Sequence, residues 1–201
     1  MTENEGIWWI QGDVEGKRSD YATIKLIDTA MEHCAGRQMC LQAGGHCGLW
    51  ARRLAHIFER VITIEPDAEN YACLLRNIMA NVEPIRAALG SAPGSTGLKR
   101  FPENTGANYM DGPGDIPVIT IDSLNLNACD LIILDIEGME AEALKGAKHT
   151  LRFGPTLLIE DKGLSEKFRT PKGWTESIPD YIPVYRSRTD KILVHASRLR
   201  S

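Results

Sequence analysis

The sequence predicts an α/β fold: a doubly wound, mostly parallel sheet covered by helices on both faces, with an antiparallel hairpin at its end. Three observations carry this expectation. Apolar runs at residues 61–64, 131–134 and 156–159 are too short for helices and lack alternation, so they read as buried parallel strands. Strand-like and helix-like patterns alternate along the chain, the order that winds a parallel sheet. Three strands also end in a carboxylate, at Glu65, Asp135 and Glu160, and strand ends are where open α/β sheets bind ligands.

Taken in order, residues 1–19 are polar apart from Ile7-Trp8-Trp9-Ile10, and Gly12, Gly16 and Ser19 interrupt any regular pattern. The two tryptophans are expected to pack on the main domain or on a second subunit. Asp20 can cap a helix over 21–33, where Ile24, Ile27, Ala30 and Met31 fall at helical spacing. A strand at 38–42 runs into Gln42-Ala43-Gly44-Gly45-His46-Cys47-Gly48 and then a helix over 49–59. A strand, a glycine turn and a helix place free N–H groups beside any ligand lying across the strand ends. Glu65 ends the next strand about twenty residues on, the offset at which a carboxylate reaches ribose hydroxyls.

Pro66 suits the first position of the next helix, with Tyr71, Leu74, Leu75 and Ile78 on its buried face. A third strand is expected at 85–89. Residues 91–117 are rich in glycine and proline and hold two short strands, at 98–101 and 108–110. A long excursion of this kind inside a domain is usually functional. Residues 118–121 return to the core, and Asp122-Ser123 can cap a short turn. After residues 131–134 come Asp135, Glu137 and Glu140, then a helix with Ala143, Leu144, Ala147 and Leu151 on one face. Repulsion makes this acidic crowding poor for stability alone, although the N-terminus of a helix also favours acids such as Glu137 and Glu140. Residues 156–159 form a strand closing in Glu160-Asp161, 162–180 are irregular, with Pro171, Gly173 and Trp174, and 181–195 read as a hairpin with Asp190 in its turn.

At 201 residues the chain suits one domain. A net charge of −4 argues against general affinity for nucleic-acid phosphates. No apolar stretch approaches the ~20 residues that span a bilayer. The acidic start lacks the basic and apolar regions of a signal peptide. The five cysteines form no Cys-x-x-Cys pair, so they read as reduced core residues in a cytoplasmic protein and no zinc site is expected.

These motifs together resemble the FkbM family of S-adenosylmethionine-dependent methyltransferases. The likeness lies in the glycine turn at 42–48, Glu65-Pro66 with Tyr71 and Arg76-Asn77, Ala88-Leu89-Gly90, Asp135-Ile136-Glu137-Gly138-Met139-Glu140, Leu144-Lys145-Gly146-Ala147, and the strand from Pro155 to Glu160. It covers about residues 37–160. It implies the seven-stranded, Rossmann-like class I fold, S-adenosylmethionine as cofactor, and methyl transfer to oxygen on a small-molecule or sugar-containing acceptor. It also implies cofactor contacts from Gln42, Gly44, Gly45, His46, Gly48, Glu65, Pro66, Ala88, Leu89 and Asp135, with Gly44 lying where a side chain would strike the ligand. Residues 1–36 are then an N-terminal extension and helix, 37–90 the cofactor half, 91–117 a flap over the acceptor, and 118–201 the catalytic strand and hairpin. Phe101, Asn104, Asn108 and Tyr109 are the flap's candidates for touching the acceptor.

Two residues depart from the family pattern: Gln42 replaces an Asp and His46 an Asn. A Gln carbonyl still accepts a hydrogen bond but adds no charge, a loss of roughly 1 kcal/mol toward the methionine amino group. A hydroxyl acceptor must lose a proton, and Asp135, Glu137 and Glu160 are the candidate catalytic carboxylates. With Asp161 they could also hold a hard cation, which the resemblance does not require. A nicotinamide-dependent dehydrogenase shares the glycine turn and the ribose acid, but Gly-x-Gly-x-x-Gly is absent. A non-catalytic binding subunit of the same fold finds its only support in Gln42.

Overall fold

Near-continuous burial along the central strands decides the architecture. In the computed structural model, which describes residues 1–161 and 173–199, the central sheet has seven strands. These are β1 (Met39–Ala43), β2 (Arg60–Ile64), β3 (Val82–Ile85), β4 (Leu131–Leu134), β5 (Thr156–Glu160), β6 (Tyr181–Arg186) and β7 (Asp190–His195). Their order across the sheet is β6-β7-β5-β4-β1-β2-β3. Strands β1 to β5 pair in parallel, and β7 runs antiparallel to both β5 and β6. The sheet is therefore mixed, a parallel core with the expected terminal hairpin.

Every residue of β4 is buried because the sheet is covered on both sides. Leu131 and Ile133 enter one apolar layer, with Ile27 and Ala30 of α2 (Lys25–Met31) and Ala51 and Leu54 of α3 (Leu49–Ala55). Ile132 and Leu134 enter the other, with Ala143 and Leu144 of α5 (Glu140–Lys145). From β1 the chain winds outward through β2 and β3, then crosses back to β4 and β5. The carboxyl ends of β1 and β4 are thus the switch point, where such sheets open a crevice.

Several elements differ from the sequence expectations. The third strand is Val82–Ile85, an edge strand in which Pro84 is tolerated because only one side must pair. Ala88–Leu89 and Ile116–Ile119 leave the main sheet and pair in parallel with each other, and Gly94–Thr96 joins them antiparallel. The two short strands expected there are shorter, Leu98–Lys99 and Tyr109–Met110, and they pair antiparallel with each other. The first helical region is two helices, α1 (Val14–Thr23) and α2, and Asp13, not Asp20, caps the first. In α4 (Ala68–Asn77) the N-cap is Asp67, so Pro66 lies just outside the helix, and Leu75 is exposed. Pro171 falls outside the described residues. Among the described residues no helix is long and apolar enough to cross a membrane.

The tryptophans pack on this domain. Ile7–Trp9 pairs antiparallel with Thr2–Asn4, and Trp9 is buried in the core. The Trp8 N–H donates to Asn77 Oδ1 at 2.8 Å, and Asn77 Nδ2 donates to the carbonyls of Trp8 at 2.8 Å and Cys47 at 2.6 Å. The Arg76 guanidinium lies 4.4 Å from the Trp8 ring centroid, a cation–π contact. Buried Asn77 therefore joins the N-terminal hairpin, α4 and the glycine turn. Asn77→Leu removes three bonds and leaves buried backbone groups unpaired, so it should cost about 2–3 kcal/mol. Urea unfolding should show a lower midpoint with an unchanged slope.

Candidate active site

A cavity of about 260 Å³ opens at the carboxyl ends of β1, β2 and β4. Its floor comes from Ala43, Gly44, Ile64, Glu65, Asp135 and Glu137, and one wall from Pro66, Ala87, Ala88 and Leu89. Residues 104–110 form a roof, and Gly16, Ser19 and Asp20 of α1 close the far end. Of the expected cofactor residues, Gly44, His46, Glu65, Pro66, Ala88, Leu89 and Asp135 line this space.

Gln42, Gly45 and Gly48 lie beneath the cavity. Gln42 Oε1 accepts from Thr63 Oγ1 at 2.5 Å and its Nε2 donates to the Gly44 carbonyl at 2.6 Å. A carboxylate could accept from Thr63 but could not donate to Gly44, so both polar atoms of the amide are used within the scaffold. Gly45 faces Leu74, Thr63 and Glu65, and Gly48 faces Leu74. Gly44 lines the cavity, and the fold gives it a constraint of its own. It has φ +87°, and a Cβ there would lie 1.9 Å from the Asp135 carbonyl oxygen. A side chain would strike the protein's own β4 turn, so the fold itself requires glycine at this position.

Glu65 is 5% exposed and accepts the N–H of His46 at Oε2 and of Asp67 at Oε1, each at 2.8 Å. Burial pushes its carboxyl up to about 7, against those donors and the His46 charge.

His46 carries the most connected side chain of the site. Its Nδ1 meets Asp20 Oδ2 at 3.0 Å, and its Nε2 meets Asp13 Oδ2 at 2.7 Å and Thr105 Oγ1 at 3.0 Å. Carboxylates on both ring nitrogens require both to donate, which makes the ring an imidazolium. Burial opposes that charge, but Asp20 and Asp13 raise its pKa well above 6.5. Asp13 also accepts the N–H groups of Gly16, at the start of α1, and of Thr105. Burial would raise its carboxyl, yet His46 and Thr105 hold it below the ordinary 3.8. Arg100 fixes the roof to α4 through a two-pronged pair with Asp67, at 2.5 and 2.8 Å.

At the end of β4, Asp135, Glu137 and Glu160 bring carboxylate oxygens within 4.8 Å of one another. Asp135 and Glu137 line the cavity, and Glu160 stands at the adjacent end of β5. Asp161 turns away and accepts from the N–H of Gly173 and from Thr175 Oγ1. Glu137 has φ +53°, a left-handed backbone that costs a residue with a side chain about 1 kcal/mol or more. Glu140 holds that turn: its Oε1 accepts the N–H groups of Ile136 and Gly138 at 3.0 and 3.1 Å. Burial raises its carboxyl to about 7. Glu140 is therefore a bracket for the turn. In the roof, Asn104, Asn108 and Tyr109 line the cavity, whereas Phe101 lies outside the lining and is 38% exposed.

The family comparison fits this geometry. The methyltransferase FkbM domain matches residues 44–188. The chain belongs to the FkbM methyltransferase family. It is thus a methyltransferase with S-adenosylmethionine as its cofactor. No curated protein matches it. An rRNA methylase from Streptococcus thermophilus shares its fold, with 11% identity, 84% of this chain and 92% of that one covered, and a TM-score of 0.53. So do a methyltransferase from Streptococcus mutans in complex with SAH (13%, 86% and 97%, 0.50) and a precorrin-6y C5,15-methyltransferase from Geobacter metallireducens (10%, 85% and 86%, 0.52). At such identities the likeness is one of fold. The residues present suit the FkbM cofactor: an apolar slot of Pro66, Ala88 and Leu89 fits a flat base, and Glu65 can accept from ribose hydroxyls.

Asp13, Asp20, Asn70 and Thr105 escaped the sequence reading, although a histidine in place of the family's Asn was the visible trace of this network. Its linkage sign is definite. Because the folded pKa of His46 lies above the unfolded 6.5, its stabilisation is complete below pH 6.5 and is lost as pH rises through the folded value. Asp20→Asn should bring the His46 titration down toward 6.5, so the loss of stability that starts near pH 6.5 should be smaller and complete at a lower pH. Imidazole NMR and urea titrations across pH 5–10 measure both.

Proposed function

We propose that this FkbM methyltransferase methylates a hydroxyl oxygen on a small polyhydroxylated acceptor, such as a sugar-containing molecule. The observation that carries the reading is the roofed cavity with two carboxylates at the end of β4. When bound, S-adenosylmethionine supplies an electrophilic methyl group on a sulfonium sulfur. Glu65 holds the ribose, the wall of Pro66, Ala88 and Leu89 takes the adenine, and Asp135 faces the methionine end.

The chain's own work at the acceptor is orientation, exclusion of water and removal of a proton. Asp135 or Glu137 accepts the hydroxyl proton, and Glu160 supports them from β5. Described charges lining the cavity are Asp20, Glu65, Asp135 and Glu137 against the single His46. Such a lining repels phosphate and favours an acceptor rich in O–H donors, which argues against nucleic acid. The roof over residues 104–110 leaves room for a small acceptor, consistent with a flap at 91–117. Five free cysteines support a cytoplasmic setting.

Glu65→Ala should weaken S-adenosylhomocysteine binding by roughly 1.5–3 kcal/mol, the scale of a charge-assisted hydrogen bond, as read by calorimetry. The reaction is tested with methyl-labelled cofactor and a panel of glycosides and polyols, with mass detection of one added methyl group. Asp135→Asn should then lower the single-turnover rate about 100-fold or more, measured at saturating cofactor so that any loss of cofactor affinity is separated from the loss of rate. A full rate in that variant, or label appearing only on amines, would refute the assignment.

A further inference from the structure

One buried polar atom of a residue that lines the cavity is unaccounted for. Asn70, in the first turn of α4, is 2% exposed and lines the cavity. Its Nδ2 donates to the Thr105 carbonyl of the roof at 3.1 Å, while its Oδ1 is buried with no hydrogen-bond partner among the described residues. The amide orientation follows from chemistry: the Thr105 carbonyl only accepts, so the nitrogen must face it and the oxygen must face away. A buried carbonyl left unpaired is costly, so a site that holds one is built for a donor.

We propose that Asn70 is a second ribose-binding residue, its carbonyl oxygen accepting from a ribose hydroxyl of the cofactor. This rests on the placing of the cofactor proposed above. The cofactor offers three kinds of donor: the adenine amino group, the ribose hydroxyls and the methionine ammonium. The adenine amino group belongs to the wall of Ala88 and Leu89, and the ammonium to the β1 and β4 ends at Gly44 and Asp135. Asn70 stands at the Glu65 end. Glu65 accepts the Asp67 N–H, and Asp67 in turn caps the Asn70 N–H at 3.0 Å. The remaining donor at that end is the ribose. Asn70 then does two things with one amide: it reads the sugar with its oxygen and holds the roof with its nitrogen.

Calorimetry on the full chain tests this with S-adenosylhomocysteine and its 2′-deoxy and 3′-deoxy analogues, using wild type, Asn70→Ala and the near-isosteric Asn70→Asp. Asn70→Ala should lose about tenfold in affinity for the parent ligand. It should lose nothing for the one analogue lacking the hydroxyl that Asn70 holds, a non-additivity that marks direct contact. Asn70→Asp, which keeps an oxygen in place, should still discriminate between parent and analogue. Equal losses on all three ligands would assign Asn70 to the roof alone and overturn the proposal. If Glu65→Ala weakens binding while Asn70→Ala gives that uniform loss, only the Asn70 assignment falls. If wild type binds none of the three, the placing of the cofactor falls with it.

Discussion

The His46 imidazolium sits between Asp13 and Asp20, almost out of contact with water, and three segments far apart in the sequence converge on it. Asp13 and Asp20 come from the start and the middle of α1, His46 from the glycine turn after β1, and Thr105 from the roof. An isolated buried charge is costly, and pairing with two carboxylates offsets that cost only while the geometry holds. The same pair of acids serves other purposes: Asp13 caps α1 and anchors Thr105, and Asp20 reaches the cavity wall. Cavity floor, end wall and roof are thereby set by one charge cluster.

The β4 end divides its acids by task. Asp135 and Glu137 present carboxylates to the cavity, and Glu140 spends its own on the backbone of the turn between them. That investment explains how Glu137 keeps a left-handed backbone in a buried position. A strained residue held by a neighbour's side chain is the usual mark of a position under functional constraint. The acidic crowding that looked unfavourable in the sequence is thus partly relieved, because one of the three acids faces N–H donors.

Much of the fold was legible because β1, β2, β4 and β5 are buried on both faces and read as short, mainly apolar runs, unbroken in β4. The β3 region failed for the converse reason. Its edge strand contains Glu83 and Pro84, while the more apolar stretch after it pairs in another sheet, and apolar content does not reveal a pairing partner. Helix α1 was invisible to periodicity because its only buried residue is Gly16. It is held by Asp13 and by the His46 cluster, so it has no apolar stripe to detect. In the site, Gly44 and Glu65 were legible from local spacing. The partners of His46 were not, since Asp13 and Thr105 are distant in sequence and no local rule joins them.

The contact between Gly44 and the Asp135 carbonyl means that the glycine turn and the acidic turn touch backbone to backbone. A contact of that kind carries no side-chain signature. The contact is made whatever side chains stand beside it, so Gln42 and His46 do not decide how closely the two turns approach. The path of the main chain through the switch point is therefore a constraint of its own: any side chain at position 44 would push the two turns apart and open the floor of the pocket.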